Sequence, residues 1–153
     1  MSGVELTFPN LGEFKATFKE LGDAAGEVMG EAVYAAALLG KVYVSDNIRD
    51  QKLIDTSNLV NSVEAKLDEV TGTSATASVG PRGVVYARIH EFGGLIKAKG
   101  DKYLTFRTKD GAWHKVKTVQ MPARPYLRPA FDEHGNDMME AAKIIIENRL
   151  GKV

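Results

Sequence analysis

Apolar residues recur along this chain with two periods, and each period marks a different kind of element. Near the N-terminus Phe14, Phe18, Leu21, Ala25, Val28, Ala32, Ala35, Leu39 and Val42 follow one another in alternating steps of four and three. Such spacing lines up one face of an α-helix. Asn10 with Glu13 three residues on has the form of a capping box, and Pro9 closes what precedes it. The pattern predicts a helix from Leu11 to about Ile48, roughly 55 Å long. That outruns a compact domain of this size, so part of the helix is expected to project or to meet a neighbour. Ahead of it Val4, Leu6 and Phe8 alternate with Glu5 and Thr7, which predicts a short strand or extended arm over residues 1–10. Gly22, Gly26 and Gly30 lie four apart on one helix face. Either another backbone approaches closely there, or the segment is weak, since each glycine is about 1 kcal/mol worse than alanine.

The period then changes to two. Ile54 to Ser62 is rich in Asp, Thr, Ser and Asn, which favour turns and caps. Val63, Ala65 and Leu67 alternate with charged residues and predict a strand. Ala75, Ala77 and Val79 predict a second, with Val70 to Ser74 as the hairpin loop. Gly80-Pro81-Arg82-Gly83 is a turn cluster, and Val84 to Phe92 has room for a single helical turn. Leu95 to Val119 reads as a β-ribbon, with Tyr103–Arg107 and Ala112–Lys117 flanking Lys109-Asp110-Gly111. A three-residue loop with Gly111 left-handed pairs Phe106 with His114 and Leu104 with Val116, apolar opposite apolar. It also sets Arg107 opposite Trp113, within reach of a cation–π contact. After Pro125 the helical period returns through Leu127, Phe131, His134, Met138, Ala142 and Ile145. Pro129 is tolerated in a first turn, and Gly135 weakens the middle. The order predicts one α+β domain over residues 1–153. A long N-terminal helix and a C-terminal helix would pack on a small antiparallel sheet, with the ribbon projecting as an arm over residues 95–119.

Composition narrows the function. A chain of 153 residues can build a real core. Twenty bases balance twenty acids, so the strongly basic character of a nucleic-acid binder is missing. No cysteine is present, which removes disulfides and thiolate metal sites. Met1 to Phe8 has no signal-peptide pattern. The longest near-apolar stretch, Ala32 to Gly40, falls far short of the roughly 20 residues a membrane span needs. His90-Glu91 lacks a second histidine at position 94, which is Gly94, so the zinc-protease pattern fails. Gly72 to Gly83 lacks the Gly-Lys-Ser/Thr ending of a phosphate loop. No enzyme, cofactor or metal is expected.

Charge distribution says more than net charge. Between Lys97 and Arg128 the bases are Lys97, Lys99, Lys102, Arg107, Lys109, Lys115, Lys117, Arg124 and Arg128, against Asp101 and Asp110 alone. With Tyr103, Phe106 and Trp113 among them, these form a candidate docking surface for an acidic partner, either a protein or DNA. The alternative is a solvated ribbon whose lysines discourage edge pairing. Arg124 and Arg128 could tie the last helix to the sheet, or pair with a carboxylate of a neighbouring subunit.

Two segments carry geometry rather than chemistry: Tyr86-Ala87 with Glu91-Phe92-Gly93-Gly94, and Met121-Pro122-Ala123-Arg124-Pro125 running on to Phe131. Tyr86, Glu91, Phe92, Gly93, Pro122, Arg124 and Pro125 are the expected structural motif, with Phe92 buried and at least one glycine at positive φ or against another backbone. These segments, the ribbon, and Asp55-Thr56-Ser57-Asn58-Leu59-Val60-Asn61-Ser62 resemble the tail-completion, or head–tail joining, proteins of long-tailed bacteriophages. The last segment departs from the family pattern by carrying Ser57 where glycine is usual. The resemblance implies a structural virion protein that forms a homo-oligomeric ring, often hexameric, at the head-proximal end of the tail. Its partners would be the tail tube or tail terminator protein, the head connector or head-closure protein, and genomic DNA passing through the lumen. It would reside at the tail–head interface of the virion, and in the host cytoplasm during assembly. A head-closure ring protein of the neck, a nucleic-acid-binding module using the ribbon, and a small hydrolase are the rival readings.

Overall fold

The computed structural model describes residues 23–53, 57–72, 74–108 and 110–151. The N-terminal arm, the Asn10–Glu13 capping box, Phe14, Phe18, Leu21 and Gly22 lie outside the described residues, as does Lys109. The elements are α1 (Asp23–Asp50), α2 (Asn58–Asn61), β1 (Val63–Val70), β2 (Ala75–Pro81), α3 (Ala87–Phe92), β3 (Gly94–Lys97), β4 (Leu104–Arg107), β5 (Trp113–Val116), β6 (Thr118–Met121) and α4 (Leu127–Leu150). This is the expected α+β architecture with a helix at either end. The strands form three two-stranded antiparallel ladders, β1–β2, β3–β6 and β4–β5, rather than one small sheet. Contacts gather into two compact units, one holding α1, α2, β1, β2 and α4, the other comprising Val85–Pro125.

In the first unit α1 runs for 28 residues, about 42 Å. Its apolar seam packs antiparallel on α4: Ala25, Met29, Ala32 and Ala36 meet Met138, Ala142 and Ile146. The seam is built from small residues, so the two helices approach closely. At Gly40 an added Cβ would already lie 3.3 Å from both Sδ and Cε of Met138. The expected face is right at Ala25 and Ala32 but wrong at Val42, which is 51% exposed. Alternating steps of four and three follow a 3.5-residue period, whereas a straight helix has 3.6 and drifts about 20° per heptad. By Val42 the stripe has rotated away from α4, and Val44 and Ile48 have rotated in. By length and composition α1 could cross a membrane, which the stretch Ala32 to Gly40 alone does not suggest; here its buried apolar residues pack on α4 and the β1–β2 hairpin.

The hairpin explains two of the spaced glycines. A Cβ on Gly26 would lie 2.8 Å from the carbonyl oxygen of Thr71, and one on Gly30 would lie 3.2 Å from Val70 Cγ2. Close approach of another backbone therefore holds at Gly26. The hairpin loop is fixed where it touches the helix, because the Thr71 amide donates to the Ser74 carbonyl at 2.7 Å. Alanine at position 26 would gain about 1 kcal/mol of helix propensity and collide with a carbonyl that is held in place.

α1 ends in a Schellman turn. The Leu53 amide donates to Ile48 O at 3.1 Å and the Lys52 amide to Arg49 O at 2.9 Å, with Lys52 at φ 54. Leu53 is buried beneath it, the apolar contact this motif usually carries. Ser57, standing where the resembled family has glycine, has φ 57 and ψ −1. The left-handed turn is kept without glycine, and Ser57 makes no capping bond to offset its strain. A left-handed L-residue costs about 1–2 kcal/mol, partly balanced by the extra entropy glycine loses on folding. Ser57→Gly is therefore expected to raise stability by about 0.5–1 kcal/mol, read as an increase in Tm.

In the second unit the strands form one long, interrupted hairpin. β3 pairs with β6 from Gly94↔Met121 to Lys97↔Thr118, and the Ala98 amide extends the ladder to Lys117 O at 2.9 Å. β4 and β5 then pair Leu104↔Val116, Phe106↔His114 and Arg107↔Trp113. This is the register expected from matching apolar positions. Gly111 has φ 89, and the Thr108 amide donates to Ala112 O at 2.9 Å, which leaves a three-residue loop. The expected ribbon, Leu95 to Val119, is thus three residues short of the observed span, Gly94 to Met121. The Arg107–Trp113 cation–π contact is not what forms. Arg107 Nε donates to Gly111 O at 3.0 Å instead, because a turn carbonyl is a better acceptor for a guanidinium than an exposed ring.

α4 begins at Leu127, so Pro129 falls in its first turn as expected, and Tyr126 is the N-cap residue. Tyr126 is 1% exposed, and its carbonyl accepts a bond from Asn47 Nδ2 at 3.0 Å. Leu127, Phe131, His134 and Ile145 are only half-buried, whereas Ala130, Met138, Ala142 and Ile146 carry the buried face.

Candidate docking surface

The two motif segments meet at the base of the ribbon. Gly93 has φ 66 and ψ −172, a region only glycine occupies readily. A Cβ there would lie 2.7 Å from Ala123 N and 2.9 Å from Met121 O. Gly94, at φ 138, begins the β3–β6 ladder opposite Met121. The Arg124 amide donates to the His90 carbonyl at 2.7 Å. The paired glycines and the Pro-Ala-Arg-Pro run are therefore the two sides of one clamp, with the backbones as close as main chains can come. Pro122, exposed, lies inside the clamp's second side; Pro125, half-buried, closes it.

α3 packs through Ala87 and Glu91, four residues apart and both buried. Phe92 is consequently turned about 100° away from that face, and it is 53% exposed. The expectation of a buried Phe92 is corrected by this short helix, whose inward position is taken by Glu91. The Arg88 guanidinium carbon sits 5.9 Å from the Phe92 ring centre. Tyr86 meets His90 edge-on at 5.7 Å. His90 Nδ1 is buried without a hydrogen-bond partner among the described residues. Burial, and then the positive charge of Arg124, hold the His90 imidazole below its ordinary value of 6.5, so it is neutral at neutral pH. Among the described residues no three His, Cys, Asp or Glu side chains converge as metal ligands.

Beyond the clamp the ribbon has two unlike faces, set by strand alternation. Leu104, Phe106, His114 and Val116 share one, with the Phe106 and His114 rings stacked at 5.6 Å. The other carries Tyr103, Thr105, Arg107, Trp113, Lys115 and Lys117. Lys115 Nζ lies 4.8 Å and Lys117 Nζ 4.4 Å from the centre of the Tyr103 ring, so the two ammonium groups are held together over one aromatic. Lys117 Nζ also reaches the Gly100 carbonyl at 3.3 Å. Trp113 is 71% exposed. Lys97 on β3, and Lys99 and Lys102 on the β3–β4 connection, are exposed nearby in the chain. None of these five lysines, nor Arg107 or Arg124, is ion-paired with a described carboxylate.

The structure thus gathers Arg107, Trp113, Lys115 and Lys117 on one ribbon face and puts Arg124 in the clamp. Arg128 belongs to the other unit, in the first turn of α4. Tyr126 went unnoticed in the sequence, because a lone aromatic between prolines and a helix start gives no periodic signal. The row Tyr34, Leu38 and Val42, each more than a third exposed and four apart on α1, is a further surface, of which the expected stripe includes Val42 alone.

No curated protein and no solved structure matches the chain. A family model, that of the phage virion morphogenesis family, matches residues 30–150. The match runs from the first turns of α1 through the clamp and ribbon to the end of α4, and the chain belongs to the phage virion morphogenesis family.

Proposed function

We propose that this chain is the tail-completion subunit of a long-tailed phage, a ring at the head-proximal end of the tail that joins it to the capsid connector around the DNA channel. The observation that supports this most is the clamped ribbon. A two-stranded ribbon is marginal by itself in water, yet this one is anchored by a glycine-only clamp and presents Trp113, Lys115 and Lys117 without acidic partners among the described residues. That is a rigid base with an interaction-ready arm, as a docking subunit needs. Six copies, and the tail terminator and head-closure proteins as neighbours, follow from the resemblance to tail-completion proteins.

A phage carrying a stop codon in this gene is expected to yield DNA-filled heads and full-length tails that remain separate. Purified protein added to the mixed lysate should restore joined particles, and antibody against the chain should label tail ends rather than isolated heads. Labelling of heads alone would move the chain to the neck as a head-closure ring. Absence of tails would end the reading. The exposed tryptophan among lysines also favours a nucleic-acid arm as the second reading; its mark would be duplex affinity that falls steeply with salt.

A further inference from the structure

The chain is neutral only as a sum. Val85–Pro125 holds nine of the twenty bases and three of the twenty acids, which leaves eleven bases against seventeen acids in the other unit. Part of that acidic surplus is organised. Along α4, Glu133, Asp137, Glu140 and Glu147 are exposed at steps of four, three and seven, hence on one face, with Asp137 also accepting from the Tyr43 hydroxyl of α1 at 2.8 Å. Lys143 is the one base between Asp132 and Glu147, lying 3.9 Å from Glu140 and 3.7 Å from Glu147. Ile144, 48% exposed, sits in the same row.

We infer that this acidic face of α4 is the seat for the basic ribbon face of a second copy of the chain. The inference rests on the ring reading above and names the contact that would close the ring. The two faces match in order as well as sign. Trp113, Lys115 and Lys117 follow one another along the ribbon at about 6.6 Å. Ile144 and Glu140 are about 6 Å apart along the helix, with Asp137 and Glu133 within a further two turns, about 10 Å. Trp113 on Ile144 places Lys115 at Glu140 and Lys117 towards Asp137 and Glu133. A large aromatic seated on an aliphatic side chain, ringed by charge pairs, is the usual anatomy of an interface centre. An acidic connector or DNA would need the ribbon alone. Contact between copies uses both surpluses, and a head-to-tail ring uses each face once per subunit.

Charge swapping tests this. One variant carries Lys115→Glu and Lys117→Glu, the other Glu133→Lys and Glu140→Lys. Circular dichroism checks that each is folded. Oligomers are counted by mass photometry at low salt, and as copies bound per purified tail. Each variant alone should associate roughly tenfold or more weakly than wild type, as expected for two lost exposed pairs. An equimolar mixture should recover rings with the two variants alternating. Benzoylphenylalanine at position 113 should cross-link, between differently isotope-labelled wild-type copies, to peptides from residues 137–147. Wild-type-like assembly of either variant alone, a mixture that fails to recover, or cross-links elsewhere would overturn the inference and leave the tail-completion reading standing. Lost DNA affinity with normal assembly in the lysine variant would also overturn it, in favour of a nucleic-acid arm. If wild type forms a ring neither in solution nor on tails, the tail-completion reading itself falls.

Discussion

Valine at position 93 is expected to open the base of the ribbon while α1 and α4 stay folded. Gly93 combines a backbone conformation closed to side chains with a 2.7 Å approach to Ala123 N. The conformation alone is worth about 1–3 kcal/mol, and forcing atoms into a filled space adds about 1–3 kcal/mol. Hydrogen exchange should show the Arg124 amide, now bonded to His90 O, losing its protection. Amides in the middle of α1 should exchange as before. Gly83→Ala is the control: φ is also positive, at 70, but a Cβ there meets nothing within 4 Å, and the loss should stay near 1 kcal/mol. Retained protection at Arg124 in the valine variant would refute the clamp.

That clamp shows what could be read from the sequence and what could not. The glycines and the Pro-Ala-Arg-Pro run stood out as geometry-setting because glycine frees φ and proline fixes it, each by covalent structure alone. Their partnership was invisible, because it depends on the ribbon between them closing in register. The register itself was legible, since only one loop length sets Leu104 opposite Val116 and Phe106 opposite His114. Phe92 and Val42 failed for a common reason. Both are large apolar residues on helices, and a helix buries a direction rather than a residue type. On α3 that direction belongs to Ala87 and Glu91; on α1 the difference between 3.5 and 3.6 residues per turn carries Val42 out. Ser57 was legible as a departure, and its strain could be found only from the backbone.

Met138→Ala is expected to lower the stability of the first unit by about 2–5 kcal/mol. Met138 is fully buried in the core between α1 and α4, with Gly40 directly against its sulfur. Gly40, opposite the thioether, has no side chain to swing into the space a methionine vacates, so a cavity is expected there. Met138→Leu keeps most of the volume and should lose less than about 1.5 kcal/mol. Urea unfolding would show the alanine variant with a lower midpoint and an unchanged slope. A loss below about 1 kcal/mol would mean that α1 and α4 can close on one another, contrary to the glycine contact.

The pairing of α1 with α4 also fixes an order of events during synthesis. Glu31 and Arg149, which bond across the two helices, are 118 residues apart in sequence. The ribbon, by contrast, closes on residues within a single contiguous stretch. Chain closure over long separations is slow, while local hairpins form in microseconds. As the polypeptide leaves the ribosome, the ribbon can zip as soon as Arg124 has emerged. α1 must wait, its alanine seam exposed, until the other end of the core is made. The docking arm is then complete before the body that carries it, and a nascent chain stalled between the two would display a finished hairpin on an unfinished domain.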